Sequence, residues 1–396
     1  MAGQIRLRNL KLVSTFLFVV LAGGGALAQT PETTPVSPCA SCHSAQSISQ
    51  PLTPMGQALQ QQGANPTLIA NPKLTFKKAG YSYSVETKDG KSMYNVTDGT
   101  QTLSLPIRWS MGAGAQTWVL EYEGKLYESL VSYYPSIPGL DITTGDEEIV
   151  PKNVAQATGR ELAPTEPKAC FSCHASNSFV NGKLNFDSLT RGINCEHCHT
   201  EAGAHLVDAL QGRMDSAPPD LKKLSSEDIA GFCGQCHRSW DTVVRNHWHG
   251  QATVRFQPYR LSNSKCFDGT DPRIGCLACH DPHHDVVREA SYYDSKCLAC
   301  HASSAKSSAN TIGPNHAALN QTVMNQSVAN LARSQAQLVP ASASSAVHPE
   351  AKAPACPVAQ NNCTTCHMPK INLPNGHLTF SDHQIRIVKP GAPFPN

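Results

Sequence analysis

The sequence predicts a mainly α fold with many loops, in which short helices are joined to one small antiparallel β-meander. Three observations lead to this fold class. A five-residue Cys-x-x-Cys-His pattern recurs seven times in 396 residues. The stretch from Leu74 to Ile142 has no Cys or His and alternates aromatic with β-branched residues, as half-buried strands do. Aromatic residues make up only 6% of the chain, which is few for a large apolar core of ordinary side chains.

The charge balance excludes one broad class of function. The chain has 32 Lys and Arg against 30 Asp and Glu, a formal net charge of +2. Nucleic-acid-binding proteins usually show a basic stripe or a strongly basic domain, so we expect no nucleic-acid partner. The unusual residue types are 16 Cys and 17 His, and their spacing must decide between metal sites, disulfides and covalent cofactors.

Residues 1–28 have the pattern of a secretory signal peptide. Basic residues up to Lys11 precede the apolar run Leu12 to Ala22, and Ala26-Leu27-Ala28 ends the segment with the small-x-small pattern of a cleavage site. The alternative is an uncleaved membrane anchor, but three consecutive glycines interrupt the apolar run, so spanning the bilayer would be marginal. We therefore predict an exported protein, periplasmic or extracellular, without a membrane span after cleavage.

The repeated motif predicts covalently bound haem. Cys-x-x-Cys-His is the attachment motif of c-type haem: two thiols on one helical turn form thioethers with the porphyrin, and the adjacent His binds its iron. Zinc knuckles also use Cys-x-x-Cys, but a zinc site does not require a His directly after the second Cys of each motif. The sequence therefore predicts seven haem c groups with their iron. The motifs are Cys39-Ala-Ser-Cys42-His43, Cys170-Phe-Ser-Cys173-His174, Cys195-Glu-His-Cys198-His199, Cys233-Gly-Gln-Cys236-His237, Cys276-Leu-Ala-Cys279-His280, Cys297-Leu-Ala-Cys300-His301 and Cys363-Thr-Thr-Cys366-His367.

The motif spacing predicts how the haems are arranged. Six of the seven motifs fall between Cys170 and His367, so too few residues lie between neighbouring motifs to enclose each haem in its own apolar core. We expect the haems to pack against one another in a conducting row, covered by short helices and loops. The porphyrins would then supply the large flat apolar bodies that the aromatic side chains do not.

Ten further His could provide the second axial ligand of a haem, since imidazole is the usual sixth ligand in low-spin electron-transfer haems. Their placement relative to the motifs favours His205, His249, His283, His377 and His383. For His283 the neighbouring His284 is an alternative. His247, His316 and His348 are weaker candidates, and His197 lies inside a motif and is expected to face solvent.

Met55 is a further candidate ligand, because an internal repeat places it where another module has His. His249 follows His237 by twelve residues, and Met55 follows His43 by the same interval. His/Met ligation raises the reduction potential relative to two His ligands. The alternative is that Met55 packs against the edge of a ring.

Two Cys remain outside the motifs, Cys266 and Cys356. In an exported protein, an even number of Cys outside the haem motifs predicts one disulfide between them. This bond would connect the segment before the fifth motif to the start of the last module.

We divide the chain into five segments from these patterns: the signal peptide 1–28, a first haem segment 29–68, the β-meander 69–145, a Pro-rich connector 146–168, and a six-haem domain 169–390 with an Ala/Ser-rich insertion at about 302–351. Asp89-Gly90 between two alternating runs is a strong hairpin signal. We interpret the β-meander as a spacer and cover for the haem row; the alternative is a docking or substrate surface.

Three segments resemble the exported multihaem c-type cytochromes of the cytochrome c-552/4 domain family, whose superfamily includes multihaem nitrite reductases and hydroxylamine oxidoreductases. They are Gly192 to His205, Cys276 to His283, and Cys363 to His383. The first departs from the family pattern, with Thr-Glu-Ala-Gly after His199 where the family has Gly-Pro-Gly. The resemblance covers roughly residues 169–390 plus 36–58, and it implies a haem-packed electron-transfer core.

We expect electron transfer between periplasmic or membrane redox partners, with no catalytic residue assigned. The alternatives are a multihaem oxidoreductase acting on small nitrogen or sulfur compounds at a five-coordinate haem, and a subunit of a larger cytochrome assembly. The Cys-x-x-Cys-Lys motif that marks the catalytic haem of the nitrite reductases is absent. If a five-coordinate haem exists, the second motif is the best candidate, because Phe186 stands at the twelve-residue offset after His174.

Overall fold

The computed structural model describes residues 37–61, 63, 65–301, 356, 358–374 and 376–395. The predicted signal peptide, the insertion at about 302–351, and the candidate ligands His316 and His348 lie outside the described residues. From Pro38 onward the described chain forms one compact unit.

The helices are short and are spread over the parts of the chain that carry the motifs. The α-helices are α1 Ser44–Ser49, α2 Pro66–Ala70, α3 Val154–Thr158, α4 Glu166–His174, α5 Cys195–Cys198, α6 Ala202–Leu210, α7 Ser226–His237, α8 Trp240–Arg245, α9 Gln257–Ser262, α10 Cys276–Cys279, α11 Asp294–His301 and α12 Cys363–His367. The 3-10 helices are Pro38–Ser41, Gln50–Leu52, Leu221–Lys223, Gln251–Arg255, Pro272–Ile274 and Ala290–Tyr293.

The strands pair antiparallel in every ladder of the described chain. They are β1 Leu59–Gln61, β2 Lys73–Lys78, β3 Tyr81–Lys88, β4 Lys91–Thr97, β5 Thr102–Pro106, β6 Trp109–Met111, β7 Thr117–Tyr122, β8 Lys125–Ser129, β9 Val131–Tyr134, β10 Gly139–Ile142, β11 Gly159–Glu161, β12 Ala175–Ser176, β13 Phe179–Val180, β14 Lys183–Leu184, β15 Thr190–Arg191, β16 Lys370–Asn372 and β17 Thr379–Ser381.

Two larger sheets form the β-rich part of the protein. One has the order β2-β3-β4-β5 and the other has the order β1-β6-β7-β8-β11. The predicted hairpin at Asp89-Gly90 joins β3 to β4, and both turn residues have positive φ, 50° and 73°, as a type I′ turn requires. The five-stranded sheet takes β1 and β11 from the segments that flank the predicted meander, because these short runs complete its two edges.

The apolar core of this β-rich part is made by inward-facing residues, which alternate along the strands with more exposed ones. Tyr83 and Val85 of β3 and Tyr94 and Val96 of β4 are buried, and their neighbours along each strand are more exposed. Trp118 of β7 is fully buried, with its ring centre 6.0 Å from that of Tyr94. The sheets therefore hold together by ordinary side-chain packing.

The mainly α prediction holds only in part. Short helices do carry the motifs, but the described residues form a mixed α and β structure with several small antiparallel sheets. Two-stranded ladders also lie within the haem-bearing region, where β12 pairs with β15 and β16 pairs with β17. These ladders satisfy the backbone hydrogen bonds of loops that are too short to form helices. Among the described residues, no helix has the length and apolar character needed to cross a membrane.

Replacing Trp118 with Ala tests whether the β-rich part depends on this core. We expect the free energy of unfolding to fall by about 3–5 kcal/mol, because a large buried ring is lost and a cavity remains. The matched control is Ile69→Ala at a side chain that is 54% exposed, where the change should stay within about 0.5 kcal/mol. Guanidinium unfolding of the haem-loaded protein followed by circular dichroism measures both, and equal losses would contradict the assigned core.

Candidate haem-binding sites

Each Cys-x-x-Cys-His motif lies on a single helical turn, and we number the sites 1 to 7 in chain order. Site 1 begins in the 3-10 helix Pro38–Ser41, and sites 2 to 7 lie on α4, α5, α7, α10, α11 and α12. At site 1 the backbone N–H of His43 donates to the carbonyl of Cys39 at 2.8 Å, and His199 and His280 make the same bond at 2.9 and 3.0 Å. This turn places both thiols on one side with the His after them, the arrangement that haem attachment needs.

Thiols of different sites lie next to one another. Helix α4 packs against α7, α7 against α10, and α11 against α12. The Sγ atom of Cys173 lies 3.7 Å from the carbonyl oxygen of Gln235, inside the fourth motif. Three pairs of thiols from different sites lie close enough to shift each other's pKa: Cys173 with Cys236, Cys233 with Cys276, and Cys297 with Cys363. Porphyrin edges bonded to these sulfur atoms would therefore be neighbours.

Three motif His stand opposite a second His at nearly the same separation. Each pair joins one motif His to one of the candidate distal ligands. The ring centres are 6.4 Å apart for His43 and His205, 6.2 Å for His199 and His283, and 6.2 Å for His280 and His383.

This separation fits one metal ion between two imidazoles. A metal–nitrogen bond of about 2.0 Å, followed by about 1.1 Å to the ring centre, would separate two opposed ring centres by about 6.2 Å. Unliganded rings in van der Waals contact are under no such restriction and occur at centre distances of roughly 4.5–7 Å. The donor sets of sites 1, 3 and 5 therefore fit a haem iron held by two His.

Hydrogen bonds at Nδ1 leave Nε2 available to a metal in several of these His. Nδ1 lies 3.0 Å from the carbonyl oxygen of Ser381 in His383, and 3.0 Å from Oδ1 of Asp281 in His283. At site 2, Nδ1 of His174 lies 3.0 Å from the carbonyl oxygen of Ala58. Carbonyl and carboxylate oxygens only accept, so Nδ1 carries the proton, which is the usual support of a metal-binding His.

Burial also favours the neutral form of five imidazoles at the sites. It lowers the pKa of His174, His199, His237 and His280, and it lowers the pKa of His383 to about 4. A neutral ring has the free lone pair that binds iron.

Large apolar side chains remain exposed beside the sites. Ile48 and Leu52 follow site 1, Leu210 follows His205 on α6, and Ile387 follows His383; each is more than two thirds exposed. Exposed apolar groups in such number mark a surface that contacts something apolar. Flat porphyrin faces held at the adjacent motifs match that requirement.

His377 makes contacts of a different kind from the paired His. Its Nε2 lies 2.7 Å from Oδ2 of Asp141 on β10, and its ring meets Tyr134 of β9 edge-on with centres 5.1 Å apart. The hydroxyl of Ser136 donates to the carbonyl of His377 at 2.7 Å. These contacts attach the last module to the β-rich part of the protein.

The other predicted ligands are not brought to a second imidazole. His249 is exposed in the loop after α8. Met55 is half-buried, and its carbonyl accepts the N–H of Ile193 at 2.9 Å, just before the third motif. Ligation by Met55 and His249 stays a prediction of the sequence. Among the described residues, His174, His237 and His367 also have no ring partner at this separation.

Phe186 is held in an aromatic cluster next to the second motif. Its ring stacks on Trp109 with centres 4.3 Å apart, and both rings meet Phe171 edge-on. The guanidinium of Arg108 covers the two stacked rings at 4.3 and 4.8 Å. Phe171 is a variable position of the second motif and is fully buried, so this cluster fixes site 2 against the five-stranded sheet.

The predicted disulfide between Cys266 and Cys356 is not formed, and both thiols are free. Cys266 lies near the site 6 thiols Cys297 and Cys300, which raise its pKa further after burial. Cys356 is exposed, and backbone N–H groups of residues 358 and 359 lower its pKa. The two Cys therefore have different neighbours in the described structure.

One charged cluster beside site 2 gave no signal in the sequence. Arg160 of β11 bonds Glu128 at 2.6 Å and Glu166, the first residue of α4, at 2.5 Å. Asp146 is 7% exposed, and its Oδ2 atom has no hydrogen-bond partner. Burial, assisted by the charge of Glu128, raises the pKa of Asp146 to about 6.

A second unpredicted feature is a buried ion pair between Arg260 of α9 and Asp382, the residue before His383. These two residues are 122 positions apart, so no local pattern could have indicated the contact.

Comparison with known proteins agrees with the motifs. Residues 145–200, which contain the second and third motifs, match the family described as cytochrome c554 and c-prime. No curated protein matches the chain. Among solved structures, the chain is similar to the outer cell wall cytochrome OcwA, with 17% identity and a TM-score of 0.27. The similarity covers 50% of this chain and 36% of that chain, and at this TM-score it does not establish a shared fold. The family match, together with the motifs, supports a multihaem c-type cytochrome.

Replacing Asp146 with Asn tests the charge environment of site 2. Because the folded-state pKa is raised, Asp146 favours folding fully below its unfolded pKa near 3.8, and this contribution is lost as the pH rises through about 6. The variant should therefore exceed the wild type in unfolding free energy by up to about 3 kcal/mol at pH 7, and by only about 0.6 kcal/mol at pH 4.

Guanidinium unfolding between pH 4 and pH 8 measures this difference. Asp215→Asn, at an exposed carboxylate, is the control and should leave the pH profile unchanged. A profile of the Asp146 variant parallel to that of the wild type would contradict the assigned environment.

Proposed function

We propose that this protein is an exported heptahaem c-type cytochrome that transfers electrons through a row of covalently bound, mostly six-coordinate haems. The observation that carries the proposal is the set of three opposed His pairs with ring centres 6.2–6.4 Å apart, each containing one motif His. When bound, haem supplies one-electron chemistry through its iron.

The paired His suit electron transfer because they would hold both axial positions in either oxidation state. The ring planes of His199 and His283 are nearly parallel, with an interplanar angle of 2°, and His283 is fixed by Asp281. Ligands that are fixed before the electron arrives need little rearrangement afterwards. Closed axial positions also exclude small substrates from the iron, which favours a carrier over a catalyst at these three sites.

The neighbouring sites support a continuous path. Site 2 adjoins site 4 through Cys173 and Cys236, site 4 adjoins site 5 through Cys233 and Cys276, and site 6 adjoins site 7 through Cys297 and Cys363. Cys279 lies near Cys297, which connects sites 5 and 6. Cys198 lies near Cys233 and Cys236, and His199 lies near His43, so sites 3 and 1 continue the row beyond site 4.

In this proposal the partners are periplasmic or membrane redox proteins, and the signal peptide directs the chain to the compartment where haem c is attached. The exposed apolar side chains Ile48 and Leu52 lie at site 1, one end of the proposed path, where electrons would enter or leave. The β-rich part covers site 2 through the cluster of Trp109, Phe171 and Phe186.

A second candidate function is catalysis at a haem with an open axial position. Site 2 favours it, because within the described chain no imidazole stands opposite His174 and the aromatic cluster encloses the motif. An intrinsic high-spin haem in the purified protein would support this candidate.

Haem content and spin state test the proposal. The mature protein should begin at Gln29 and carry seven haems by mass spectrometry, and electron paramagnetic resonance should show low-spin haems at sites 1, 3 and 5. Replacing His205, His283 or His383 with Ala should each convert one haem of the seven to high spin, because one axial ligand is removed.

His377→Ala is the matched control, since Asp141 already binds that imidazole, and it should leave the number of low-spin haems unchanged. Fewer than seven haems would contradict the count. Unchanged spin states in all three His variants would contradict the ligand assignment.

A further inference from the structure

Arg260 and Asp382 form a fully buried ion pair. Both side chains have 0% exposure, and two parallel bonds join them: Nε to Oδ1 at 2.9 Å and Nη2 to Oδ2 at 3.0 Å. The third nitrogen, Nη1, donates to the carbonyl of Pro395 at 2.8 Å, and the guanidinium lies 4.3 Å from the ring centre of Phe394. Such bidentate geometry fixes the orientation of the carboxylate as well as its position.

Both carboxylate oxygens of Asp382 accept a further hydrogen bond from the protein and are shielded from water. Oδ1 also accepts the backbone N–H of Gln384 at 3.0 Å, and Oδ2 accepts Nη1 of Arg386 at 2.6 Å. A buried ion pair is costly to desolvate, and it is tolerated only when all its groups are satisfied in this way. A site that needed only stability could use apolar side chains instead, so the directional geometry requires another explanation.

The explanation lies in the next residue, His383, which is paired with His280. The turn after α9 holds the C-terminal side of this His: Ser264 donates its hydroxyl to the carbonyl of His383 at 3.1 Å and accepts the N–H of Ile385 at 2.8 Å. Arg260 of α9 holds the preceding residue, Asp382. The backbone on both sides of His383 is therefore positioned by α9 and the turn that follows it.

We propose that Arg260 is a positioning residue for the distal ligand of site 5, which acts through Asp382 to keep the His383 imidazole at metal-binding distance from His280. This inference rests on the proposed haem ligation. Arg260 does not touch the ligand, so its role is separate from haem attachment by Cys276 and Cys279. Loss of Arg260 removes two of the four hydrogen bonds that hold the buried carboxylate of Asp382. We expect Asp382 to shift as a result, and the shift moves the adjacent His383.

The experiment compares Arg260→Met with His383→Gly and with the double variant, all as haem-loaded full-length protein. Arg260→Met should keep seven haems but convert one of them to high spin, as His383→Gly does. The double variant should show one high-spin haem and not two, because both changes act on the same ligand. Added imidazole should return that haem to low spin in all three proteins, which a merely structural defect would not allow.

Two further variants make the result specific. Arg273→Met breaks an exposed ion pair with Asp271 close to the same motif and should leave all haem spin states unchanged. Arg260→Lys keeps the charge but loses the bidentate fork, and should convert part of the site 5 haem to high spin. This variant decides the question if Arg260→Met does not fold.

The proposal is overturned if Arg260→Met keeps every haem in the wild-type spin state. If Arg260→Met does not fold, the same result for Arg260→Lys overturns it. Two high-spin haems in the double variant would overturn it as well, since Arg260 would then act at another site. If His383→Gly itself leaves all spin states unchanged, the proposed ligation of site 5 has failed, which is a different result from failure of the role of Arg260.

Discussion

The spacing that two imidazoles must keep on either side of one metal ion is the constraint on which the haem-bearing region depends. Each of the three pairs joins segments far apart in the chain: His43 with His205, His199 with His283, and His280 with His383. The large apolar clusters lie in the β-rich part and around site 2, whereas the cluster around α8 and α9 contains only Val243, Phe256 and Tyr259. In the proposed ligation, cofactor binding would supply the long-range order here that side-chain packing supplies elsewhere.

The β-rich part and the haem-bearing part cover their apolar side chains by different means. In the β-rich part, alternation along β3 and β4 and the buried run of β7 bury Tyr94, Trp118 and their neighbours without any cofactor. In the haem-bearing part, apolar groups such as Leu52 and Leu210 stay exposed unless a flat apolar body covers them. Phe171 connects the two, because it belongs to the second motif and yet is buried against Trp109 of the five-stranded sheet.

Local chemistry was predictable from the sequence, and long-range pairing was not. The motif spacing predicted where thiols and proximal His would lie, and Asp89-Gly90 predicted a hairpin, because both depend on residues a few positions apart. His205 and His283 were recognisable as candidate ligands, but their partners depend on how distant segments meet. His377 had similar placement in the sequence, and only the structure shows that Asp141, 236 residues away, binds it.

The three distal His differ in how they are held, and this difference has a physical consequence. The imidazole of His283 is held by Asp281 and that of His383 by the carbonyl of Ser381, each two residues earlier. The backbone of His205 is held within α6, but its buried Nδ1 has no hydrogen-bond partner. His383 lies outside any helix or strand, and its flanks are held by Ser264 and Arg260, about 120 residues earlier in the chain. The local bonds set the orientation of the His283 and His383 rings, but the position of the His383 backbone also depends on the packing of α9 and the turn after it against the C-terminal segment. In the proposed path site 5 lies in the middle, and among the three paired sites its distal His depends most on contacts between distant segments.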